Sequence, residues 1–398
     1  MDDDTGAGKG SHDDRTIGQR LRSIRKSRRL SLAVVAGLAG TSAPTLSRIE
    51  NGLLALDSHQ LIVALAKALR VAPSDLTKLP VPAPANGHTD TAIDAIRHAL
   101  LAVSFGRLDG EVQPVEQLRE RFQVMNTGDF EVYRAMLPSL IADMHTTLAQ
   151  RQHMPELLPL AIMLHGVSNG RFLYVSGAPL DLRGQDAVLA RTLAEELGDP
   201  TMLGLVARDA ASVLMDSGRF DLARDELSAV EVPTGSSAGM QLSGKLALER
   251  SLVAAADSQP AESAAALRYA AELAERTGEG DAFVMGFGPV SVGVARMAAA
   301  LESGDSDEAI RVARTVDPRR HAYPSVRATY WLDYGRALTR VHRDDAARAL
   351  LRAERLHKTL TLRNPFIRDT LAELVAHSKD DELGRDIRGM AYRAGLPV

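Results

Sequence analysis

The sequence predicts an all-α protein made of two units, a compact bundle of five short helices and a long α-solenoid of stacked helix pairs. Three observations predict this fold. Apolar residues recur at helical spacing along nearly the whole chain, without an alternating strand pattern between the turns. A proline-rich stretch near residue 80 interrupts that pattern, because proline cannot continue a helix. Beyond it, similar helix–turn–helix corners return about every 40 residues, as in repeat proteins.

The composition excludes several classes of protein. With 45% hydrophobic residues in 398, the chain has ample material for buried cores and is not a wholly disordered protein. It contains no cysteine, which excludes disulfides, cysteine–zinc sites and thiol nucleophiles. Apolar runs such as Leu157–Leu164 fall far short of the roughly 20 residues that span a bilayer. Residues 1–14 are acidic and glycine-rich, unlike a signal peptide. We therefore expect a cytoplasmic protein with no membrane partner and a disordered leader at residues 1–14.

The formal charge of −4 conceals a division along the chain. Residues 15–79 carry a net charge of +8, whereas residues 80–398 carry −8 and the leader carries −4. A basic module ahead of an acidic domain indicates that a polyanion binds the N-terminal end, and the alternative is a solvated basic helix face. Between them, residues 80–90 begin with three prolines in five positions, which predicts a partly extended linker.

The basic module, residues 15–79, contains five short helical segments. In the first, Ile17 and Leu21 fall on one face, and basic residues surround that apolar stripe. Ser31 is positioned to cap the second segment. This segment ends at Gly40, because glycine adopts the turn conformation most readily.

A third segment follows the cap residue Ser42 and runs through Ile49. Pro44 is tolerated in its first turn, where a missing N–H is not needed. Two later segments, at residues 58–69 and 73–79, close the core. Two helices joined by a tight glycine turn and covered by later helices are the ingredients of a helix-turn-helix.

The residues of this module also carry a family resemblance. Its second and third helices read SLAVVAGLAGTSAPTLSRIENG, and its fourth helix begins a run that reads LIVALAKALRVAPSDL. Both runs resemble the lambda-repressor-like, or xenobiotic-response-element, family of helix-turn-helix regulators. The matching features are the small residue Ala36, Gly40 at the turn, and Leu46 and Ile49 facing the core. The resemblance implies that the third helix is a recognition helix that enters the major groove of double-stranded DNA.

The resemblance also implies which residues meet an operator. The start of the recognition helix is expected to read base edges, and basic residues of the first helix are expected to contact phosphates. The candidate residues are Thr41, Ser42, Ala43, Pro44, Thr45, Ser47, Arg48, Arg20, Arg22, Lys26 and Arg28. Ala43 and Pro44 depart from the long polar residues of many relatives, so thymine-methyl contact or shape readout is expected to contribute more. Glu50 is expected to be structural, because a carboxylate repels phosphates.

The acidic domain, residues 91–398, reads as helix after helix. Short polar turns align at Ala223, Ala264, Ala309 and Ala347, where a small residue lets the second helix of a pair pack closely on the first. These corners resemble tetratricopeptide repeats, although their spacing exceeds the usual 34 or so residues. We expect six or seven helix pairs, at residues 112–149, 157–197, 200–230, 240–277, 283–317, 323–359 and 364–396.

Stacked helix pairs curve into a superhelix whose concave face suits an extended ligand. The two-unit organisation is similar to the peptide-pheromone receptors of Gram-positive bacteria and, more closely, to a set of actinobacterial regulators. The resemblance implies a homodimer whose repeats sense a peptide or a small molecule. Polar and aromatic residues in the first helices of the pairs are the candidate effector residues, with a core role as the alternative for each. They are His165, Asn169, Arg208, Phe287, Tyr330 and Tyr334.

No motif in the chain indicates catalysis. The sequence has no H-E-x-x-H, no calcium loop and no G-x-S-x-G, and the glycines of residues 6–10 lack the rest of a phosphate-binding loop. We therefore expect no catalytic residue, metal site or cofactor, and a protein that is not an enzyme. The sequence predicts a sequence-specific transcriptional regulator. The alternatives are a protein-interaction module that holds a partner such as a toxin, with DNA binding secondary, and a repeat domain that only dimerises.

Overall fold

The computed structural model describes residues 16–56, 58–69, 71, 76–77, 87–127, 130–379 and 381–396. The predicted all-α fold is confirmed, since the single β-type pairing in these ranges is an isolated antiparallel bridge between Gly280 and Phe287. The expected leader and residues 80–86 of the expected linker lie outside the described residues. Of the expected fifth helix, Leu76 and Thr77 are described, and both are helical and buried.

The first unit contains α1 (Ile17–Ser27), α2 (Leu32–Leu38), α3 (Ala43–Glu50) and α4 (His59–Leu69). Each of the first three helices begins at a side-chain cap. Thr16 and Gln19 form a reciprocal capping box at α1, and the predicted caps Ser31 and Ser42 accept backbone N–H groups of α2 and α3. Gly40 closes α2 with a φ of 69°, a left-handed conformation that favours glycine.

The core of this unit lies between α1, α2, α3 and α4, and α1 crosses α3 closely. Leu21, Leu46 and Leu65 are fully buried in it. Gly18 allows the two helices to approach, because a Cβ at this position would lie 2.1 Å from the carbonyl oxygen of Ile49. The close crossing fixes how α3 is presented at the surface.

The acidic domain contains α5 (Gly87–Ser104), α6 (Val115–Thr127), α7 (Phe130–Leu148), α8 (Met154–Met163), α9 (Gly170–Ser176), α10 (Leu180–Leu197), α11 (Pro200–Asp216), α12 (Phe220–Ser228), α13 (Ser237–Ala256), α14 (Pro260–Thr277), α15 (Pro289–Glu302), α16 (Ser306–Ala313), α17 (Pro324–Leu338), α18 (Arg343–Leu356), α19 (Lys358–Arg363), α20 (Ile367–Ala376) and α21 (Glu382–Arg393). Successive helices pack as antiparallel pairs at the seven expected places, so the region is a helical, solenoid-like stack. Helix α5 begins within the stretch expected to be linker, because no proline after Pro84 prevents helix there.

The corners between paired helices depend on a small residue, and the sequence alignment has the wrong register at the second of them; at the fourth, the aligned Ala347 is buried beside Ala346. The buried small residue is the fourth of each second helix, namely Ala223, Ser263, Ala309 and Ala346. At the second corner Ala264 is exposed, and Ser263 packs inward with its Oγ 3.0 Å from that of Ser251. The loops before the first three of these helices have three residues each, but the alignment matches Asp257, which follows α13, with Asp216 and Glu302, the last residues of α11 and α15.

The superhelix closes on itself. Helix α9 contacts α19, and the guanidinium of Arg171 donates to Ser325 Oγ over 3.3 Å, so late repeats reach early ones. The first unit packs against the same region. Phe366, just before α20, belongs to the core of the first unit, while Val63 of α4 packs on the large core of the acidic domain. An internal space therefore lies between the repeats and the basic unit.

Candidate nucleic-acid interface and central cavity

Helix α3 presents its polar face outward. Ser42, Pro44 and Arg48 are exposed, whereas Leu46 and Ile49 face the core. Thr41, Ala43, Thr45 and Ser47 are half-buried beside them. The structure therefore brings the expected base-reading residues together on one accessible surface.

The start of α3 suits an anion. Ser42 Oγ accepts the Thr45 backbone N–H over 3.2 Å and lies 2.7 Å from Thr45 Oγ1. The positive end of the helix dipole points toward this exposed cap. Arg28 and Lys26 are exposed at the end of α1 and add positive charge to the same unit. Such a surface favours contact with phosphates.

One expected phosphate contact is wrong. Arg20 is only 2% exposed, and its guanidinium donates to the carbonyl oxygens of Leu76 and Thr77 over 2.5 and 3.2 Å. It lies beside the apolar stripe of α1 and ties that helix to the end of the basic unit. A buried guanidinium that satisfies carbonyl oxygens is not available to DNA.

A buried ion pair that the sequence interpretation did not identify holds the end of α3 against α1. Arg25 Nε lies 2.6 Å from Glu50 Oε1, and Arg25 Nη2 lies 2.7 Å from Glu50 Oε2. Arg25 Nη1 also donates to the carbonyl oxygen of Leu30 over 2.9 Å. The hydrogen bond to Glu50 raises the pKa of Arg25. The structural role expected for Glu50 thus has a partner, and the bidentate geometry fixes the end of α3 against α1.

Comparison with known proteins agrees with this geometry. Residues 16–79 match a family model described as a helix-turn-helix domain. The chain carries a helix-turn-helix domain. The presence of this domain supports the interpretation of the protein as a DNA-binding regulator rather than an enzyme. No curated protein and no solved structure matches the chain.

The described ranges lack two features, a single membrane-spanning helix and a metal-holding cluster of side chains. No single helix there has the length and apolar composition to cross a membrane, and one pair, Leu32–Leu38 with Ala43–Glu50, meets these criteria only together, with a bend of 108° between them. Within the same ranges, no group of three or more His, Asp or Glu side chains is arranged to hold a metal ion.

Two of the expected effector residues lie in the protein interior. His165 and Asn169 are fully buried in a π-helical segment, Leu164–Asn169, between α8 and α9. His165 Nδ1 lies 2.6 Å from Asp186 Oδ1, to which Asn169 Nδ2 also donates over 2.6 Å. All six residues of this segment are buried, so neither side chain reaches an open surface. Their predicted role in lining an open groove is therefore wrong.

The same network includes His145, whose Nε2 lies 2.9 Å from His165 Nε2. Burial, with a smaller effect of the neighbouring ring, lowers the pKa of His145 to about 3. His145 is therefore neutral at physiological pH. A buried chain of neutral imidazole, imidazole, carboxylate and amide groups joins α7, α10 and the π-helical segment.

The aromatic effector candidates are mainly core residues. Phe287 is buried against Gly244, where a Cβ would lie 2.1 Å from its ring. Tyr330 is buried, and its hydroxyl donates to the Ala313 carbonyl oxygen over 2.9 Å. Tyr334 is half-buried, with its ring centroid 6.1 Å from that of Tyr330. For Phe287 and Tyr330 the effector prediction is wrong, because their polar or ring surfaces are already occupied.

Arg208 alone among those candidates lines the internal space, which we call the central cavity. The cavity has a volume of about 350 Å³. Its walls come mainly from the first helices of successive pairs, α9, α11 and α13, and from the start of α17. The charged residues at its surface are His59, Arg171, Arg208, Asp209, Asp216, Lys245 and Glu249. The expectation that first helices line the inner face agrees with this arrangement.

Burial changes the acid–base behaviour of two cavity groups. Desolvation raises the pKa of Asp209 to about 6, against the opposing charge of Arg208. Desolvation also lowers the pKa of Lys245 to about 8; the charge of Glu249 opposes this effect, and the charges of Arg208 and Arg171 add to it. These neighbouring effects indicate that the three cations share one region of the cavity.

Acidic residues of the solenoid hold the helix-turn-helix domain in place. Glu302 accepts from the His59 backbone N–H over 2.8 Å and lies 2.7 Å from its ring Nδ1. Glu373 accepts the Ala55 backbone N–H over 3.2 Å, and Asp369 accepts backbone N–H groups at the start of α1. Burial raises the pKa of Asp369 to about 7. These contacts leave the outward face of α3 exposed.

Proposed function

We propose that this protein is a sequence-specific transcriptional regulator that binds double-stranded operator DNA through α3. The observation that carries the proposal is the exposed face of Ser42, Pro44 and Arg48 on a matched helix-turn-helix domain. This face remains free while the domain is seated on the acidic repeats. The net charge of +8 in residues 15–79 would supply the sequence-independent part of the affinity.

A selection from random duplexes tests this function. The full chain is incubated with a random-duplex library, the retained sequences are read, and affinity for the best sequence is measured by fluorescence anisotropy at several salt concentrations. We expect enrichment of a defined site and an affinity that falls with salt as phosphate counterions are displaced. Retention without any enriched sequence, or no association at low salt, would contradict the proposal.

We also propose that the protein acts as a homodimer in the cytoplasm and that its solenoid, of tetratricopeptide type, senses a signal. A helix-turn-helix dimer favours two half-sites separated by about one helical turn of DNA. The enriched site should therefore contain an inverted repeat, and light scattering of the full chain should give twice the chain mass. A monomer on a single half-site would refute the dimer.

A further inference from the structure

The central cavity has the features of a ligand site. We propose that it binds a small amphoteric molecule of the amino-acid type, with its carboxylate on Arg171, Arg208 and Lys245 and its ammonium group on Asp209. This assignment deepens the proposed function, because it gives the sensing role of the solenoid a location and a ligand class.

The size of the cavity favours a metabolite over an extended peptide. Its volume of about 350 Å³ lies at the lower end of the range of small-molecule sites, roughly 300–1,000 Å³. The superhelix is closed where α9 meets α19, and the helix-turn-helix domain covers another side. A long peptide would need both contacts to open.

The cationic side chains of the cavity have N–H groups that are not engaged in hydrogen bonds within the part of the chain that the structure describes. Arg208 lies 3.7 Å from Glu249, beyond hydrogen-bond distance, and its buried Nε has no hydrogen-bond partner among the described residues. Lys245 donates to the Gly286 carbonyl oxygen over 3.1 Å, which uses one of its three N–H groups. Arg171 is exposed to the space, and its guanidinium lies 5.6 Å from the ring of Tyr323. A carboxylate would satisfy these donors together.

Asp209 supplies the complementary group. It is 7% exposed and lines the cavity, yet within the described ranges no hydrogen bond to its carboxylate is found. Gly170 makes room for it, since a Cβ there would lie 2.6 Å from Asp209 Oδ1. A buried carboxylate without a donor is unfavourable, and an ammonium group would provide both charge and hydrogen bonds.

The site also reaches the DNA-binding unit. His59, the first residue of α4, and Phe366, part of the core of the helix-turn-helix domain, both line the cavity. Their rings are in edge contact, with centroids 4.9 Å apart. A ligand that occupies the cavity would therefore contact the seat of the helix-turn-helix domain, which provides a physical route from binding to operator affinity.

Isothermal titration of the full chain without DNA tests the assignment. The probes are the standard amino acids, together with glutarate, which lacks the ammonium group, and butylamine, which lacks the carboxylate, at up to about 10 mM. We expect at least one amino acid to bind saturably and at least about tenfold more tightly than glutarate, which carries only carboxylates, and than butylamine, which carries only an ammonium group. No saturable binding by any amino acid, or equal binding by glutarate, would overturn the assignment.

Variants locate the binding. Arg208→Gln and Asp209→Asn should each weaken the amino acid that binds by about tenfold or more, because each removes a charged partner. Arg171→Gln provides a second cationic variant, at an exposed position. The control is Arg296→Gln, an exposed arginine outside the cavity, which should bind like the unmodified protein. Unchanged affinity in the three cavity variants would overturn the site.

Operator binding without any probe is measured in parallel. If the operator binds and no amino acid does, the cavity assignment is wrong and the proposed DNA-binding function is retained. If amino acids bind and no duplex does, the cavity stands and the DNA-binding function fails. With both in place, the amino acid that binds should shift operator affinity, and it should not do so in Asp209→Asn.

Discussion

The ion pair between His59 and Glu302 makes the contact between the two units depend on pH. Burial lowers the pKa of His59, but the charge and hydrogen bond of Glu302 outweigh that effect and raise it above its ordinary value. The same pairing lowers the pKa of Glu302. The stabilisation from His59 is therefore fully present below its unfolded pKa of about 6.5 and is lost as the pH rises through the higher folded value.

The geometry sets the size of the effect. The side chains of His59 and Glu302 are 19% and 4% exposed, and Nδ1 lies 2.7 Å from Oε1. A partly buried hydrogen bond between charged groups contributes about 1.5–3 kcal/mol. Glu302→Gln retains an oxygen that can accept the His59 backbone N–H but removes the charge. We therefore expect a loss of about 1.5–3 kcal/mol near pH 6 and a much smaller loss near pH 8.5.

Urea unfolding of the full chain at the two pH values measures this loss. The control is Glu308→Gln, which removes an exposed ion pair with Arg311 whose two side chains are 35% and 71% exposed. The control should change stability by less than about 1 kcal/mol. A Glu302→Gln loss that is equal at both pH values, or larger at pH 8.5, would refute the reasoning.

Three further changes test other parts of the structure. Gly18→Ala should destabilise the basic unit by about 1–3 kcal/mol in thermal unfolding, since the new Cβ would meet the Ile49 carbonyl oxygen. The control Gly37→Ala should not destabilise it, because a Cβ there meets no atom within 4 Å. Glu50→Gln should lower the free energy of unfolding in urea by about 3–5 kcal/mol, because it leaves Arg25 buried without its charged partner. A decrease below about 1 kcal/mol would contradict this prediction. Between pH 6.5 and 4.5, the free energy of unfolding should fall less steeply in His145→Gln than in the unmodified protein. The reason is that His145 stays neutral in the folded state but takes up a proton in the unfolded state. An equal slope in the two proteins would contradict this prediction.

Much of the fold is predictable from the sequence because local signals agree with tertiary packing. Ser31, Gly40 and Ser42 mark the helix ends of the first unit, and the apolar positions of α1 and α3 face one core. The helix pairs of the acidic domain follow from polar turns and periodic apolar residues. Their register does not follow from the sequence, because Ala264 and Ser263 are both small and only the three-dimensional corner distinguishes them.

The wrong predictions concern residues whose burial depends on tertiary packing. The spacing of His165 and Asn169 places them on one helix face, but it does not reveal that the whole segment Leu164–Asn169 is buried. The sequence does not distinguish Arg20 from the exposed basic residues of α1. Its burial depends on hydrogen bonds to the carbonyl oxygens of Leu76 and Thr77, which are distant in the chain.

The central cavity was only partly predictable. Arg208 was identified from its place in a first helix, whereas its neighbour Asp209, and Arg171 and Lys245 on adjacent pairs, were not. Charged residues within otherwise apolar first helices are the signal that would have found them. Their convergence depends on the curvature of the superhelix, which single-sequence periodicity does not contain.

The most direct test of the central claim is the ratio of affinities for the selected operator and a random duplex, measured by anisotropy for Arg48→Ala. Because Arg48 is exposed on α3 and is assigned to read a base edge, the account predicts that operator affinity falls by about 1–3 kcal/mol, while random-duplex affinity changes far less. The exposed Arg385, outside the helix-turn-helix domain, provides the control variant Arg385→Ala, which should leave the ratio unchanged. An unchanged ratio in Arg48→Ala would contradict the assignment of α3 as the recognition helix.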